Sequence, residues 1–185
     1  MIYCFLADGF EEIEALATVD ILRRAQIDVC TVSVTDNIVV KGSHDIFVTA
    51  DAKMQNLDEI KHNITGAIYP GGMPGSETLS TGANTLPVEA ALYCSQNDIL
   101  IGAICAAPIV LGRKGLLKDK KATCYPGFED ELIGAHYTGK RVEIDGNIIT
   151  GRGPGCSVDF ALELVSAIKG DELADSIRKS MQCDE

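Results

Sequence analysis

The chain has 185 residues, 46% of them hydrophobic, and a formal net charge of −11. That length supports one domain with a real core, residues 1–185, and the apolar content argues against disorder. The acidity excludes non-specific binding to nucleic acid or to an anionic membrane surface.

The opening residues, Met1 to Gly9, lack a basic segment and reach Asp8 too early for a secretory signal. No apolar run is long enough to span a bilayer, so a soluble, cytoplasmic protein is expected. The cysteines are Cys4, Cys30, Cys94, Cys105, Cys124, Cys156 and Cys183. Their number is odd and no Cys-x-x-Cys pair occurs, so neither a disulfide framework nor a zinc site is expected. Cys4, Cys30 and Cys124 sit in apolar runs and read as core.

In chain order, Ile2–Ala7 reads as a strand and Gly9 as a turn. Phe10–Arg24 has apolar residues at helical spacing. Ile27–Val34 is a second strand, and Ile38–Val40 and Asp45–Val48 form a hairpin around Gly42-Ser43. A short helix is expected near Asn56–Lys61, then a strand over Thr65–Tyr69 that ends in Pro70-Gly71-Gly72-Met73-Pro74-Gly75. Helical residues from Ser76 are interrupted at Gly82, and Leu86–Gln96 is a better helix. After the strand beginning at Ile99 comes a helix to Arg113, then a short strand over Ala122–Tyr125 and a turn or two of helix over Glu129–Gly134. Arg141–Ile144 and Ile148–Thr150 flank Asp145-Gly146-Asn147, a hairpin signal. Gly151-Arg152-Gly153-Pro154-Gly155 is a glycine-rich loop. Val158–Lys169 and Asp171–Lys179 are the last helices.

Strands alternate with helices, which predicts an α/β fold with a mostly parallel sheet and helices on both faces. Sites in such folds lie beyond the carboxyl ends of the strands. Four loops fall there: Asp8–Glu14, Pro70–Gly75, Cys105–Pro108 and Gly151–Gly155.

The stretch Ile99-Leu100-Ile101-Gly102-Ala103-Ile104-Cys105-Ala106-Ala107-Pro108 passes from a buried strand into a helix. Pro108 suits the first helical turn. Cys105 therefore falls at a sharp strand-to-helix corner, where free N–H groups and the helix dipole favour an anion. A thiol there is expected to ionise more readily than a free one. Serine hydrolases use such a corner with Gly-x-Ser-x-Gly, but Ala-Ile-Cys-Ala-Ala shares the geometry and not the motif. A small buried hydrophobe is the competing reading of this cysteine.

Gly151–Gly155 fails the dinucleotide fingerprint because a proline interrupts it, and Pro70-Gly71-Gly72 lacks the Gly-Lys-Ser/Thr of a P-loop. Gly71-Gly72 reads as a tight turn, or as close backbone approach that leaves an N–H facing an oxyanion. Glu11 and Glu12 read as solvated first-turn charges. Glu14 could instead turn over the sheet edge toward Cys105, where burial would raise its pKa. His44, His62 and His136 do not follow strand ends as a Cys–His pair requires.

Ala7-Asp8-Gly9-Phe10-Glu11-Glu12-Ile13-Glu14 and Val19-Asp20-Ile21-Leu22-Arg23-Arg24-Ala25 resemble the opening of the ThiJ/PfpI superfamily, closest to the branch of the parkinsonism-associated protein deglycase. Pro70-Gly71-Gly72, Ala103-Ile104-Cys105-Ala106 and Arg152-Gly153-Pro154-Gly155 resemble its other signatures, in order and over nearly the whole chain. The resemblance implies a flavodoxin-like three-layer sandwich. It implies a reactive Cys105, with Glu14 as the protonated acid that stabilises its thiolate, and Gly72 and Ala106 N–H groups as the oxyanion site. Gly71, Tyr125, Gly153 and Pro154 would stand behind these residues. It also implies a homodimer, with Asp20, Arg23 and Arg24 on the dimer-facing side of the first helix.

Two positions depart from the pattern. Tyr125 stands where related members commonly carry a histidine, and a tyrosine is a poor general base at neutral pH because its ordinary pKa is about 10. His44 and Thr49 stand where some members carry an arginine and a cysteine. A Cys–His peptidase or amidase is therefore the weaker expectation.

The expected activity is cysteine-dependent detoxification of α-oxoaldehydes, of the glutathione-independent glyoxalase or deglycase type, acting on small reactive aldehydes or on glycated thiols and amines. It needs no metal and no organic cofactor. The alternative is a redox-sensing or chaperone-like stress protein that uses oxidation of Cys105.

Overall fold

The computed structural model describes residues 1–183. In chain order the regular elements begin with β1 (Ile2–Leu6), α1 (Glu12–Arg24) and β2 (Val29–Ser33). The hairpin strands β3 (Val39–Lys41) and β4 (Phe47–Thr49) follow, then β5 (Ala52–Lys53) and β6 (Gly66–Tyr69). Next come α2 (Gly75–Thr81), α3 (Leu86–Gln96), β7 (Leu100–Ile104) and α4 (Pro108–Gly112). The chain ends through β8 (Lys121–Ala122), β9 (His136–Tyr137), β10 (Val142–Asp145), β11 (Ile148–Gly151), α5 (Ser157–Lys169) and α6 (Asp171–Ser180).

The main sheet has seven strands in the order β10-β11-β7-β6-β1-β2-β5. Every neighbouring pair is parallel except the hairpin β10–β11. Successive residues of a strand face opposite sides of a sheet. Ile2, Cys4 and Leu6 of β1 accordingly join one core with Val19, Leu22, Phe160 and Leu164 of α1 and α5. Tyr3 and Phe5 join the other, with Leu79 of α2, Leu86 and Ala90 of α3 and Val110 of α4. Both faces are covered, which is why the strands read as continuous apolar runs. This is the flavodoxin-like arrangement expected. Among the described residues, no helix is long and apolar enough to cross a membrane.

Three local expectations change. The first helix begins at Glu12, because Phe10 makes an isolated bridge with Gly42 of the hairpin. Asp45 lies in the hairpin turn with φ +65°, and β4 starts only at Phe47. The strand expected over Ala122–Tyr125 is confined to Lys121–Ala122, paired with β9 outside the main sheet. Its later backbone donors go elsewhere: Thr123 N–H to Thr150 Oγ1 at 3.0 Å and Tyr125 N–H to the Cys105 carbonyl at 2.8 Å. The segment leaves its ladder to reach the sheet's carboxyl edge.

Candidate active site

Cys105 follows β7 directly and has φ +65°. A side chain in this left-handed region costs roughly 1–2 kcal/mol and persists only where neighbours impose it. Here both ends of the residue are held: Cys105 N–H donates to the Gly151 carbonyl at 2.8 Å, and its carbonyl accepts Tyr125 N–H at 2.8 Å. The small Ala106 and Ala107 and the proline at the start of α4 allow the chain to turn this sharply. Cys105 is 8% exposed.

Glu14 reaches the same point from α1 and is fully buried. Gly71 N–H donates to its Oε2 at 2.7 Å. Its Oε1 has no N–H or O–H partner, and the carboxyl's other interaction is with the Cys105 thiol. Gly71 is required by space: a Cβ there would stand 2.5 Å from Cys105 Cβ and 2.6 Å from Glu14 Oε2. Gly72 takes φ +90° and packs on the Gly9 carbonyl and the Glu11 amide. The N–H groups of Gly72 and Ala106 act on the Cys105 sulfur and favour its charged form.

Burial pushes Glu14 up to about 7, against the opposing pull of its bonds with Cys105 and Gly71. The expectation of a readily ionised thiol is reversed while Glu14 is charged. Burial and the neighbouring carboxylate push Cys105 up, and only the Gly72 and Ala106 N–H groups pull it down. An isolated elbow would favour the thiolate, but two acids buried together cannot both ionise easily. The pair therefore comes down to a single shared proton only as pH rises through about 7. When that proton sits on Glu14, the sulfur carries the charge and faces two N–H donors and one O–H donor.

Glu11 and Glu12 are not solvated as expected, being 7% and 4% exposed. The hairpin folds over them. Glu12 accepts His44 N–H at 2.7 Å, His44 Nδ1 at 2.9 Å and the Ser43 hydroxyl at 3.2 Å. Burial alone would raise Glu12, but these bonds, with further backbone N–H groups including that of Ile46, hold it down to about 2. The Glu11, Glu12 and His44 ligand atoms lie within 4.8 Å of one another, the group among the described residues that could hold a metal ion. The Glu12 oxygens are already occupied by the hairpin's own donors.

A pocket of about 460 Å³ opens over Cys105, lined by residues from all four expected loops together with His44, Tyr125 and Phe128. Gly72, Ala106, Tyr125 and Pro154 line it, whereas Gly153 stands beneath the Tyr125 ring. His44, Phe128, Ile13 and Met73 were missed as pocket residues. Helical spacing places Ile13 with the apolar residues of the first helix, yet it is 58% exposed. Nothing local in the sequence signals that the hairpin would fold back over the first helix.

The arrangement combines a thiol, a buried acid of near-neutral pKa and two N–H donors in a mainly apolar pocket, the parts that covalent chemistry on a carbonyl would use. The DJ-1/PfpI family model matches residues 1–167. "Protein DJ-1 homolog B" of Arabidopsis thaliana is 40% identical over 172 residues, 91% of this chain. The chain spans only 38% of that plant protein's length. "Glutathione-independent glyoxalase DJ-1" of Schizosaccharomyces pombe is 32% identical over 184 residues, covering 96% of this chain and 95% of the yeast protein. The structure titled "Toxoplasma gondii DJ-1, oxidized" superimposes with TM-score 0.89 at 32% identity, covering 98% of this chain and 97% of that one. A matched family model over most of the chain, a shared fold and relatives of similar length agree: this chain belongs to the DJ-1/PfpI family.

Proposed function

We propose that this protein is a cysteine-dependent enzyme that converts α-oxoaldehydes such as methylglyoxal to hydroxy acids without glutathione. The observation that carries the reading is the buried Glu14 carboxyl set against Cys105 beside the Gly72 and Ala106 N–H groups. The yeast relative's name supports the reaction class.

In this reading the Cys105 thiolate adds to the aldehyde carbon, and the alkoxide formed takes a proton to give a hemithioacetal. Gly72 and Ala106 N–H groups steady that oxygen as charge develops. Ionised Glu14 then removes the proton from the former aldehyde carbon and returns one to the adjacent carbon. This converts the hemithioacetal to a thioester with no net oxidation. Water cleaves the thioester, releasing lactate and the thiol. A glycated thiol or amine would enter the same sequence as the carrier of the aldehyde. Cys105, Glu14, Gly72 and Ala106 touch the reacting atoms in this scheme, and Gly71, Tyr125, Gly153 and Pro154 position them. No step calls for a metal or cofactor.

Exposed Ile13 and Leu16 on α1 and Ile46 and Phe47 on the hairpin make an apolar surface. We assign it to a second copy of the chain, giving a homodimer through the first helix.

The test is lactate formation from methylglyoxal without glutathione, comparing wild type with Cys105→Ser and Glu14→Gln. Turnover lost in both variants supports the roles, and full activity in Cys105→Ser sinks them. A redox role has one observation in its favour: the donors that hold a thiolate would also hold the oxygens of a sulfinate. Inert wild type with a peroxide-sensitive Cys105 would favour it.

A further inference from the structure

A second cavity of about 290 Å³ adjoins the Cys105 pocket, and Tyr125 and Pro154 line both. Arg141 and Arg152 line it, and no carboxylate does. The two arginines differ. Arg141 is committed, with Nε and Nη2 on Asp159 Oδ2 at 3.0 and 2.7 Å and Nη2 also on the Gly155 carbonyl at 2.8 Å. Arg152 makes one long side-chain bond, from Nη1 to the Gly139 carbonyl at 3.3 Å.

The chain has six arginines. Arg23, Arg24, Arg113, Arg141 and Arg178 each pair with a carboxylate. Among the described residues, Arg152 is the one that does not. In a chain of net charge −11, an arginine left without an acid at the rim of a reactive pocket is conspicuous. The Tyr125 hydroxyl, on the shared wall, also has no hydrogen-bond partner within the described residues and can donate. A guanidinium whose fork is mostly free matches a carboxylate in two-pronged geometry.

We propose that Arg152 binds the carboxylate of the molecule that carries the aldehyde, so that the preferred substrates are oxoaldehyde adducts of small carboxylate-bearing thiols or amines. The reacting carbon would occupy the Cys105 pocket and the carboxylate the Arg152 pocket, with Tyr125 and Pro154 between them. Arg152 is thus a specificity residue and takes no part in the bond changes. The substrate preference rests on the reading above, whereas the carboxylate site does not.

The site can be tested without turnover. Cys105 is labelled with iodoacetamide in the presence of N-acetyl-S-methylcysteine or its amide, two unreactive compounds that differ only in the charge of one group. The acid is expected to protect Cys105 at concentrations about tenfold lower than the amide, a difference of about 1.4 kcal/mol. Arg152→Gln should erase the difference, and Arg152→Lys, which keeps the charge but not the fork, should fall between. Equal protection by both compounds, protection by neither, or an acid preference that survives Arg152→Gln overturns the proposal. Lactate release from the methylglyoxal adducts of N-acetylcysteine and of its amide then gives the substrate arm. An acid preference there that vanishes in Arg152→Gln supports the specificity role. No lactate from either adduct, alongside acid-selective protection, would reject the oxoaldehyde reading and leave the carboxylate site standing.

Discussion

Gly71 N–H donates to Glu14 Oε2 at 2.7 Å, and this bond orients the carboxyl whose remaining interaction is with Cys105. The strand β6 loop thus aims an acid that comes from α1 at a thiol that comes from β7. Three segments far apart in sequence meet over a few ångströms, and the glycine between them leaves no space for any larger residue.

Substitution of that glycine is the most direct probe of the geometry. In Gly71→Ala, the new methyl meets Cys105 Cβ at 2.5 Å and Glu14 Oε2 at 2.6 Å. The expected result is loss of turnover and about 1–3 kcal/mol of stability in chemical denaturation. In Gly153→Ala the nearest atom is the Tyr125 ring at 3.0 Å, and that ring is 47% exposed and able to shift. A small effect is expected there. Gly155→Ala meets nothing within 4 Å and should leave stability within about 0.5 kcal/mol of wild type.

Glu14 should make stability fall as pH rises. Its pKa moves from 4.5 to about 7 on folding, so the folded state binds the proton more tightly than the unfolded chain. The favourable contribution is fully present below about pH 4.5 and is lost as pH rises through about 7. The difference across that window is about 3 kcal/mol. Glu14→Gln keeps an acceptor for Gly71 N–H and removes the titration, so its stability should be flat over the same range. Urea denaturation of both proteins near pH 5 and pH 8 checks this, and a wild-type curve as flat as the variant's would contradict it.

Glu12 should act in the opposite sense at lower pH. The hairpin donors hold it down to about 2 against the effect of burial. Its contribution is present above the ordinary carboxylate range and disappears as pH falls toward about 2. Glu12→Ala should cost about 1–3 kcal/mol, since it strips acceptors from His44 and Ser43. Hydrogen exchange of the β3–β4 amides should quicken in the variant, while exchange in β6 and β7 should not.

The backbone at the elbow makes a separate prediction. Because Cys105 has φ +65°, Cys105→Gly should be more stable than Cys105→Ala by about 1 kcal/mol. In a helix the order reverses: at Cys94, inside α3, Gly should be less stable than Ala by about 1 kcal/mol. Thermal unfolding of the four variants decides it.

Much of the fold was legible because its signals are local. Apolar runs of strand length, helical spacing in the residues after them and Pro108 at a helix start each speak for themselves. The four loops at the carboxyl edge followed from the alternation of strands and helices. The site was less legible where it depends on residues that meet only after folding. Glu11 and Glu12 look like ordinary first-turn acids until a hairpin some thirty residues later covers them. Tyr125 looked like the end of a strand, yet its N–H leaves any ladder to hold the Cys105 carbonyl.

The sequence by itself determined the order of the elements, the parallel sheet and the position of Cys105 at a strand-to-helix corner, because backbone preference and hydrophobic period act over short distances. Only the tertiary structure decided the charge state around that thiol. The corner alone favours an anion, but packing buries Glu14 against the sulfur, and burial and a second acid raise both groups together. Desolvation and pairwise charge depend on which side chains share a volume, and that is fixed by three dimensions and not by spacing along the chain.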